Sequence, residues 1–261
     1  MTVFARADRR LVLRLALGLA AAIALGVPFL LLALLVRDNW SPLIDLDTSV
    51  ANRMHVVAVD HHWLVILLKA ISDVFDPITF RVVTTILAAL LFWRGRRRLA
   101  IWTLVTIWGA ALLGVLLKVV VNRARPDLVD AVATAPGRSF PSGHALNSTV
   151  GCAVLLLLVT PLLTRWWRAV AIAVAILIPL VVAFARVGLG VHYLSDVVAG
   201  MLLGLGWVVV TAAAFEAWRR DVGLPPSPPT EAEPELGKDV PEPEPGDLRE
   251  PSVGGTGDER A

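Results

Sequence analysis

Residues 99–121, LAIWTLVTIWGAALLGVLLKVVV, hold 23 residues with one charged side chain, Lys118. A helix that spans the bilayer core needs about 20 consecutive apolar residues. Segment 62–75 is also apolar but is interrupted by Lys69 and Asp73, so we predict an interfacial or partly inserted helix there. The fold class expected is all-α, a polytopic membrane bundle of six transmembrane helices. The other five spans are predicted at 11–36, 77–93, 145–163, 169–185 and 193–215.

The composition of the whole chain agrees with a membrane protein. Of its 261 residues, 56% are hydrophobic, and the mean hydropathy is +0.70. A soluble domain has about 45–50% apolar residues on a comparable count. The single cysteine, Cys152, lies within an apolar run and can form neither an intrachain disulfide nor a cysteine metal site.

The net charge of +2 conceals two parts of opposite sign. Residues 221–261 hold 11 acidic and 3 basic side chains, and they are rich in Pro, Glu and Gly, so we predict a disordered tail. The preceding residues hold 21 basic and 11 acidic side chains. These basic residues flank apolar runs, so they indicate membrane topology, and no nucleic-acid partner is expected. The domain organisation expected is an N-terminus at 1–10, a six-span domain at 11–220 and the tail at 221–261.

Basic clusters occur before the first span, between spans two and three, between spans four and five, and after span six. All of them fall on one face if there are six spans, and the positive-inside rule makes that face cytoplasmic. We therefore predict a cell (inner) membrane protein with both termini in the cytoplasm. Segments 37–76, 122–144 and 186–192 would then lie on the outer face. The clusters are Arg6, Arg9 and Arg10; Arg94, Arg96, Arg97 and Arg98; Arg165 and Arg168; and Arg219 and Arg220.

The outer face carries ionisable residues in three short segments, the first of which is KVVVNRARP at 118–126. Lys118 and Arg125 are seven positions apart, so they would face one point if the helix continued for two turns. Pro126 would fix the direction of the chain after Arg125. The alternative is a pair of cations that extend their side chains to the membrane interface.

The second segment is SFPSGH at 139–144. Ser142 is suited to cap a helix N-terminus, and Gly143 lets a backbone N–H approach a ligand closely. Free N–H groups at a helix N-terminus bind phosphate, and His144 on the first turn could donate or accept a proton. The alternative is a capped helix with an interfacial histidine.

The third segment is RVGLGVHYLSD at 186–196. His192 and Asp196 are four positions apart and would share one face of the last helix. A carboxylate bonded to one ring nitrogen fixes the tautomer and leaves the other nitrogen free to attack. The alternative is a purely structural His–Asp pair beside Arg186.

The three segments together predict a phosphoryl-transfer site. Charge on phosphoryl oxygens needs preorganised donors, which three cations and a helix N-terminus supply. No acidic cluster near these segments is dense enough for a two-metal site, so no metal or other cofactor is expected. Lys118, Arg125 and Arg186 would take the place of metal ions.

These segments resemble the three-part signature of the type 2 phosphatidic acid phosphatase family, through Lys118-x6-Arg125-Pro126, Pro141-Ser142-Gly143-His144 and Arg186-x5-His192-x3-Asp196. The resemblance implies that His192 is the nucleophile, that Asp196 orients it, and that His144 is the acid and then the base. It also implies a metal-independent reaction. The groups implied to hold the phosphoryl oxygens are Lys118, Arg125, Ser142, the Gly143 amide and Arg186.

The sequence departs from the family pattern at Ala185, where a serine often precedes the arginine. Arg123 lies outside the motif and is expected as an optional headgroup contact. The function expected is a lipid phosphate phosphatase in the bilayer, acting on undecaprenyl diphosphate, phosphatidate or phosphatidylglycerol phosphate. The alternatives are a lipid phosphotransferase and a non-catalytic protein that binds or transports lipid phosphates. The sequence gives no indication of the oligomeric state.

Overall fold

The structure, a computed structural model, describes the backbone of residues 3–221 and the side chains of residues 16–216. Within this range every regular element is helical. Residues Thr160–Leu162 form a short 3-10 turn. The helices are α1 Val3–Arg37, α2 Ser41–Asp60, α3 His62–Val74, α4 Pro77–Trp93, α5 Arg97–Val121, α6 Gly143–Val159, α7 Arg165–Gly188 and α8 Leu194–Asp221.

Six stretches of the described chain are long and apolar enough to cross a membrane, which confirms the predicted all-α bundle of six spans. They agree with the predicted spans except that the second, His62–Trp93, includes both α3 and α4. The predicted tail, 221–261, lies outside the described residues except for Asp221, which is the last residue of α8. The other five stretches are Ala16–Arg37, Arg97–Val121, Gly143–Leu162, Arg165–Gly188 and Leu194–Glu216.

Helix α6 lies at the centre of the bundle and packs against α4, α5, α7 and α8. Half of its most apolar stretch (50%) is buried, against 11% of the corresponding stretch of α1. Its buried side chains form the main core with residues of α4 and α5, where Leu146 and Val150 meet Phe80 and Ile107. The first turn of α6 is therefore held in place from several sides.

Gly200 and Gly204 let α8 pack closely against α6. A Cβ on Gly200 would lie 2.7 Å from the Ser142 carbonyl oxygen, and one on Gly204 would lie 3.2 Å from that of Leu146. Since the first distance is too short for a side chain, glycine lets α8 approach the start of α6 directly. The second and third motifs are thereby brought side by side.

Segment 37–76, which was predicted to lie on the outer face, contains a helix that the sequence pattern did not indicate, α2. This helix begins with a proline in its first turn and packs against α7 and α8. The helix predicted at 62–75 is present as α3, which ends just before Phe75 and Asp76 and packs against α7. Both helices therefore lie beside the segments that carry the motifs.

The motif segments meet at one end of the bundle. They lie at the C-terminal ends of α5 and α7 and at the N-terminal ends of α6 and α8. The basic clusters at 94–98 and 165–168 lie at the opposite ends of these helices. This arrangement agrees with the predicted separation of the motifs from the basic face.

Candidate active site

Lys118 and Arg125 converge, but by a route that differs from the predicted one. Helix α5 ends at Val121, as the predicted span does, and Asn122 adopts a left-handed conformation with φ 55°, so the condition that the helix continues to Arg125 is not met. The chain turns back instead. The Lys118 ammonium donates to the Arg138 carbonyl oxygen at 2.6 Å, and Arg125 donates to the carbonyl oxygens of Pro136 and Gly137.

His192 lies at the centre of the cluster and is 1% exposed. Its Nδ1 is 3.3 Å from Oδ2 of Asp196, and its Nε2 is 3.1 Å from Nη1 of Arg125. The expectation that both residues lie on the last helix is wrong for His192, because α8 begins at Leu194. The predicted contact nevertheless forms, since the chain enters α8 in a tight turn after Gly190, whose φ is 68°.

The Asp196 carboxylate, which is fully buried, has three further partners. Its Oδ2 accepts from the Ser139 hydroxyl at 2.6 Å and from the backbone N–H of Tyr193 at 2.9 Å. The second bond is the return half of a capping box, in which a carboxylate in the first turn satisfies the N–H of the residue before the helix. Its Oδ1 accepts from Arg123 at 2.8 Å.

Arg123 is engaged within the protein, so the expectation that it contacts a lipid headgroup is replaced by a structural role. Its guanidinium bridges Asp196 and Asp47, 2.7 Å away on α2, and stacks over the ring of Tyr193 at 4.1 Å. Asp47 also accepts from the backbone N–H and the hydroxyl of Ser195. This network ties α2 to the start of α8.

The second motif forms the start of α6 as predicted. Ser142 is the N-cap, and its hydroxyl accepts from the Ala145 N–H at 3.5 Å, while its own N–H donates to the Asp196 carbonyl oxygen. Gly143 begins the helix, and no neighbouring atom lies within 4 Å of where its Cβ would be. His144 follows in the first turn, 17% exposed, with Nε2 3.5 Å from Oδ2 of Asp76.

Arg186 completes the predicted set of cations. It is 9% exposed, and its Nη1 donates to the Ser72 hydroxyl on α3 at 3.2 Å. Its Nε is buried without a hydrogen-bond partner in the described part of the chain. Ala185 is fully buried and packs in an apolar cluster with Val65 and Leu68. Where the family often has a serine hydroxyl, this chain therefore has an apolar contact.

The predicted site residues thus form one cluster. His144 lies within electrostatic range of Lys118, Arg125, Arg186 and His192. Burial, opposed by Asp196 and reinforced by the cationic Arg125 and Arg186, lowers the pKa of His192 from 6.5 to about 4. The imidazole is therefore neutral near pH 7, with the Nδ1–H directed to Asp196 and the Nε2 lone pair towards Arg125.

Six residues that bond to the site were not predicted as site residues: Asp47, Ser72, Asp76, Ser139, Tyr193 and Ser195. Ser139, Tyr193 and Ser195 lie within motif segments. The other three lie on α2, on α3 and before α4, at sequence distances that no local pattern bridges. Within the described residues, no group of three or more His, Cys, Asp or Glu side chains is arranged to hold a metal ion.

Comparison with known proteins identifies relatives of this chain. The chain is 34% identical over 135 residues to the undecaprenyl-diphosphatase of Sulfolobus acidocaldarius, which covers 50% of this chain and 61% of that protein. It is 28% identical to phosphatidylglycerophosphatase B of Bacillus subtilis, over 70% of this chain and 89% of that protein. It is 32% identical to the lipid A 1-diphosphate synthase of Escherichia coli K12, over 45% of this chain and 54% of that protein. The match thus spans less than two thirds of the first and third relatives.

A solved structure has the same fold. The crystal structure of a transmembrane PAP2 type phosphatidylglycerolphosphate phosphatase from Bacillus subtilis superposes with a TM-score of 0.66 at 23% identity, covering 77% of this chain and 96% of that one. The family model of the PAP2 superfamily matches residues 99–220, which contain all three motifs. The segment that carries the three motifs thus matches the PAP2 superfamily.

Proposed function

We propose that the protein is an integral membrane phosphatase that hydrolyses a lipid phosphomonoester or diphosphate through a phosphohistidine on His192. The observation that carries this proposal is the buried His192, whose Nδ1 contacts Asp196 while Nε2 faces Arg125. The named activities of the relatives in Sulfolobus and Bacillus support a lipid phosphate substrate. Undecaprenyl diphosphate, phosphatidate and phosphatidylglycerol phosphate are the candidates.

In the first step, Nε2 of His192 attacks the phosphorus, and the bond between phosphorus and the leaving oxygen breaks. His144 gives a proton to that oxygen. In the second step, His144 takes a proton from water, whose oxygen attacks the phosphorus, and the P–N bond breaks. Inorganic phosphate leaves, and both histidines return to their starting states. Asp196 stabilises the positive charge that His192 acquires.

The phosphoryl oxygens would be held by the cations and by the start of α6. The first turn of α6 has N–H groups without intrahelical partners, and open space lies beside Gly143. Arg186 offers a buried Nε that has no partner in the described structure. Lys118 and Arg125 would exchange carbonyl partners for phosphoryl oxygens, and Ser142 would contribute through the N-cap. We propose that the reaction needs no metal ion.

We further propose that the site opens on the outer face of the cell (inner) membrane and that both termini are cytoplasmic. The basic clusters at the opposite ends of the helices support this orientation. A lipid headgroup at the membrane boundary could then reach the cations while its chain stays among the helices. The segments 1–10, 11–220 and 221–261 would be the cytoplasmic N-terminus, the catalytic domain and the tail.

The test is phosphate release by purified protein in detergent with EDTA, from undecaprenyl diphosphate and phosphatidate in parallel. We expect turnover by the wild type and loss of at least about 10³-fold in His192→Ala, because no nucleophile remains. Phosphate release at the wild-type rate by this variant would contradict the mechanism. Loss of activity in EDTA that a divalent ion restores would contradict the metal-free reaction.

A second candidate function is transfer of the phosphoryl group to a lipid acceptor. It is favoured by one observation, that a relative in Escherichia coli is named a lipid A 1-diphosphate synthase. The same phosphohistidine would serve both reactions, since the acceptor replaces water in the second step. Added lipid alcohols would distinguish them, because a transferase forms a new phospholipid at the expense of free phosphate.

A further inference from the structure

Asp76 lies between α3 and α4 and uses its two carboxylate oxygens for different purposes. Oδ1 accepts from the Ile78 N–H at 2.7 Å and thereby caps the N-terminus of α4. Oδ2 points away from α4 and lies 3.5 Å from Nε2 of His144, on the first turn of α6. Asp76 thus caps α4 with one carboxylate oxygen and contacts the His144 imidazole on α6 with the other.

We infer that Asp76 is the positioning residue of His144, an inference that rests on the proposed function. If the carboxylate accepts the Nε2–H, the neutral imidazole carries its lone pair on Nδ1. Nδ1 is then the atom that gives the proton to the leaving oxygen and later takes one from water. At 3.5 Å the contact is longer than an ordinary hydrogen bond and becomes an ion pair when His144 is protonated. Catalytic hydrogen bonds are often long without substrate and shorten when substrate closes a site.

The site would then contain two carboxylate–imidazole pairs in which the carboxylates contact different ring nitrogens. Asp196 contacts Nδ1 of His192 and leaves Nε2 for attack on phosphorus. Asp76 contacts Nε2 of His144 and leaves Nδ1 for proton transfer. His192 would therefore present Nε2 to the phosphorus, and His144 would present Nδ1 to the leaving oxygen.

The surrounding charges give Asp76 a second purpose. His144 faces Lys118 on α5, Arg125 in the following loop, Arg186 on α7 and His192 before α8. The three cations among them, Lys118, Arg125 and Arg186, oppose the protonated imidazole, which is the form that acts as the acid. A carboxylate in contact with His144 offsets that repulsion. Asp76 and Asp73, which lies one turn earlier on α3, both act electrostatically on Arg186, but of the two only Asp76 contacts His144.

The test must distinguish a purely structural role of Asp76, the capping of α4, from its positioning of His144. Asp76→Asn keeps a good N-cap and the side-chain shape but removes the charge. Asp76→Ser also keeps a cap, but its short side chain cannot reach His144. Asp73→Asn is the matched control, because it removes an acidic charge nearby without touching the imidazole. All three are compared with the wild type by thermal unfolding in detergent.

The kinetic test compares kcat/KM for dioctanoyl phosphatidate, whose leaving oxygen needs a proton, with that for p-nitrophenyl phosphate, whose leaving group needs little assistance. We expect Asp76→Asn to lower kcat/KM for the lipid by about 10- to 100-fold, as loss of an orienting carboxylate does elsewhere. The loss with the aryl phosphate should be much smaller. Asp73→Asn should match the wild type with both substrates.

Equal losses with both substrates would overturn the inference, because a merely structural defect does not depend on the leaving group. If the wild type releases no phosphate from either substrate, the proposed function fails. The positioning of His144 is then decided by ¹⁵N NMR of labelled histidine, assigned with His144→Asn. An Nε2–H tautomer that is lost in Asp76→Ser supports the inference, and an unchanged tautomer overturns it.

Discussion

Asp196 illustrates how one buried carboxylate is kept charged and fixed. It receives donors from Ser139, Tyr193 and Arg123 as well as from His192. A buried carboxylate without such partners would be costly, whereas a fully bonded one is rigid. The rigidity matters for His192, because the imidazole is oriented by a group that cannot itself move. Each further donor therefore serves the nucleophile.

The burial of His192 predicts a particular dependence of stability on pH. Its pKa is lowered to about 4 in the folded protein, against 6.5 in the unfolded chain. Between these values the unfolded chain binds the extra proton, so the free energy of unfolding rises with pH. We expect wild-type stability to fall as the pH drops through this window, by at most about 1.4 kcal/mol per pH unit from this group.

The measurement is thermal unfolding in detergent from pH 7.5 to 4 for the wild type and for His192→Gln. The difference between the two proteins isolates His192, because both keep the other four histidines. The wild type should lose its relative stability below about pH 6.5. A difference that stays constant over this range would show that His192 is not held neutral by burial.

At the scale of elements, α2 is attached to the site through one side chain. Asp47 is 1% exposed, bonds to Arg123 and Ser195, and is the point at which α2 contacts the network around Asp196. No periodic signal in the sequence predicts this, since the apolar residues of α2 are spread among charged ones. The contact depends on how α2 lies across α7 and α8, which is a property of packing.

Asp47→Asn should destabilise the protein, because the buried Arg123 loses one of its two carboxylates. Removing one partner of a buried ion pair costs about 3–5 kcal/mol in unfolding free energy. Asp45→Asn is the matched control, since Asp45 lies on the same helix but is exposed. Thermal unfolding of both variants checks this, and equal midpoints would show that the bridge from α2 contributes nothing.

At the scale of the whole molecule, the six spans place the motif loops at one end of the bundle and two of the basic clusters at the other. Val129 lies in the loop after α5 and is 83% exposed. Thr164 lies at the opposite end, before α7, is exposed, and makes no side-chain cap bond. Both positions therefore accept a cysteine at little cost, and the native Cys152 is buried.

Single-cysteine proteins test the orientation, with Val129→Cys or Thr164→Cys in a Cys152→Ala background. We expect a membrane-impermeant maleimide to label Val129→Cys in intact cells and Thr164→Cys only after the membrane is permeabilised. The background protein alone should remain unlabelled. The reverse pattern would place the site on the cytoplasmic side, and labelling of both in intact cells would contradict the six-span topology.

The sequence by itself determined the parts of this protein that depend on near neighbours. Long apolar runs define the spans, and Ser142 caps the N-terminus of α6 from the position just before the helix. The spacing of His192 and Asp196 sets up their contact. These features follow from helical period and local hydrogen bonding, which act over a few residues. The three motifs also sufficed to indicate the family, because their order and residue types carry its chemistry.

Only the tertiary structure decided which distant groups complete the site. The sequence alone suggests that Arg123 is a free cation, yet in the fold its guanidinium lies between Asp47 and Asp196. Asp76 is an ordinary helix cap in sequence, and only the packing of α4 on α6 brings its second oxygen to His144. The physical reason is that helix packing fixes such contacts through close approaches, like that of Gly200 to Ser142, which no local pattern specifies.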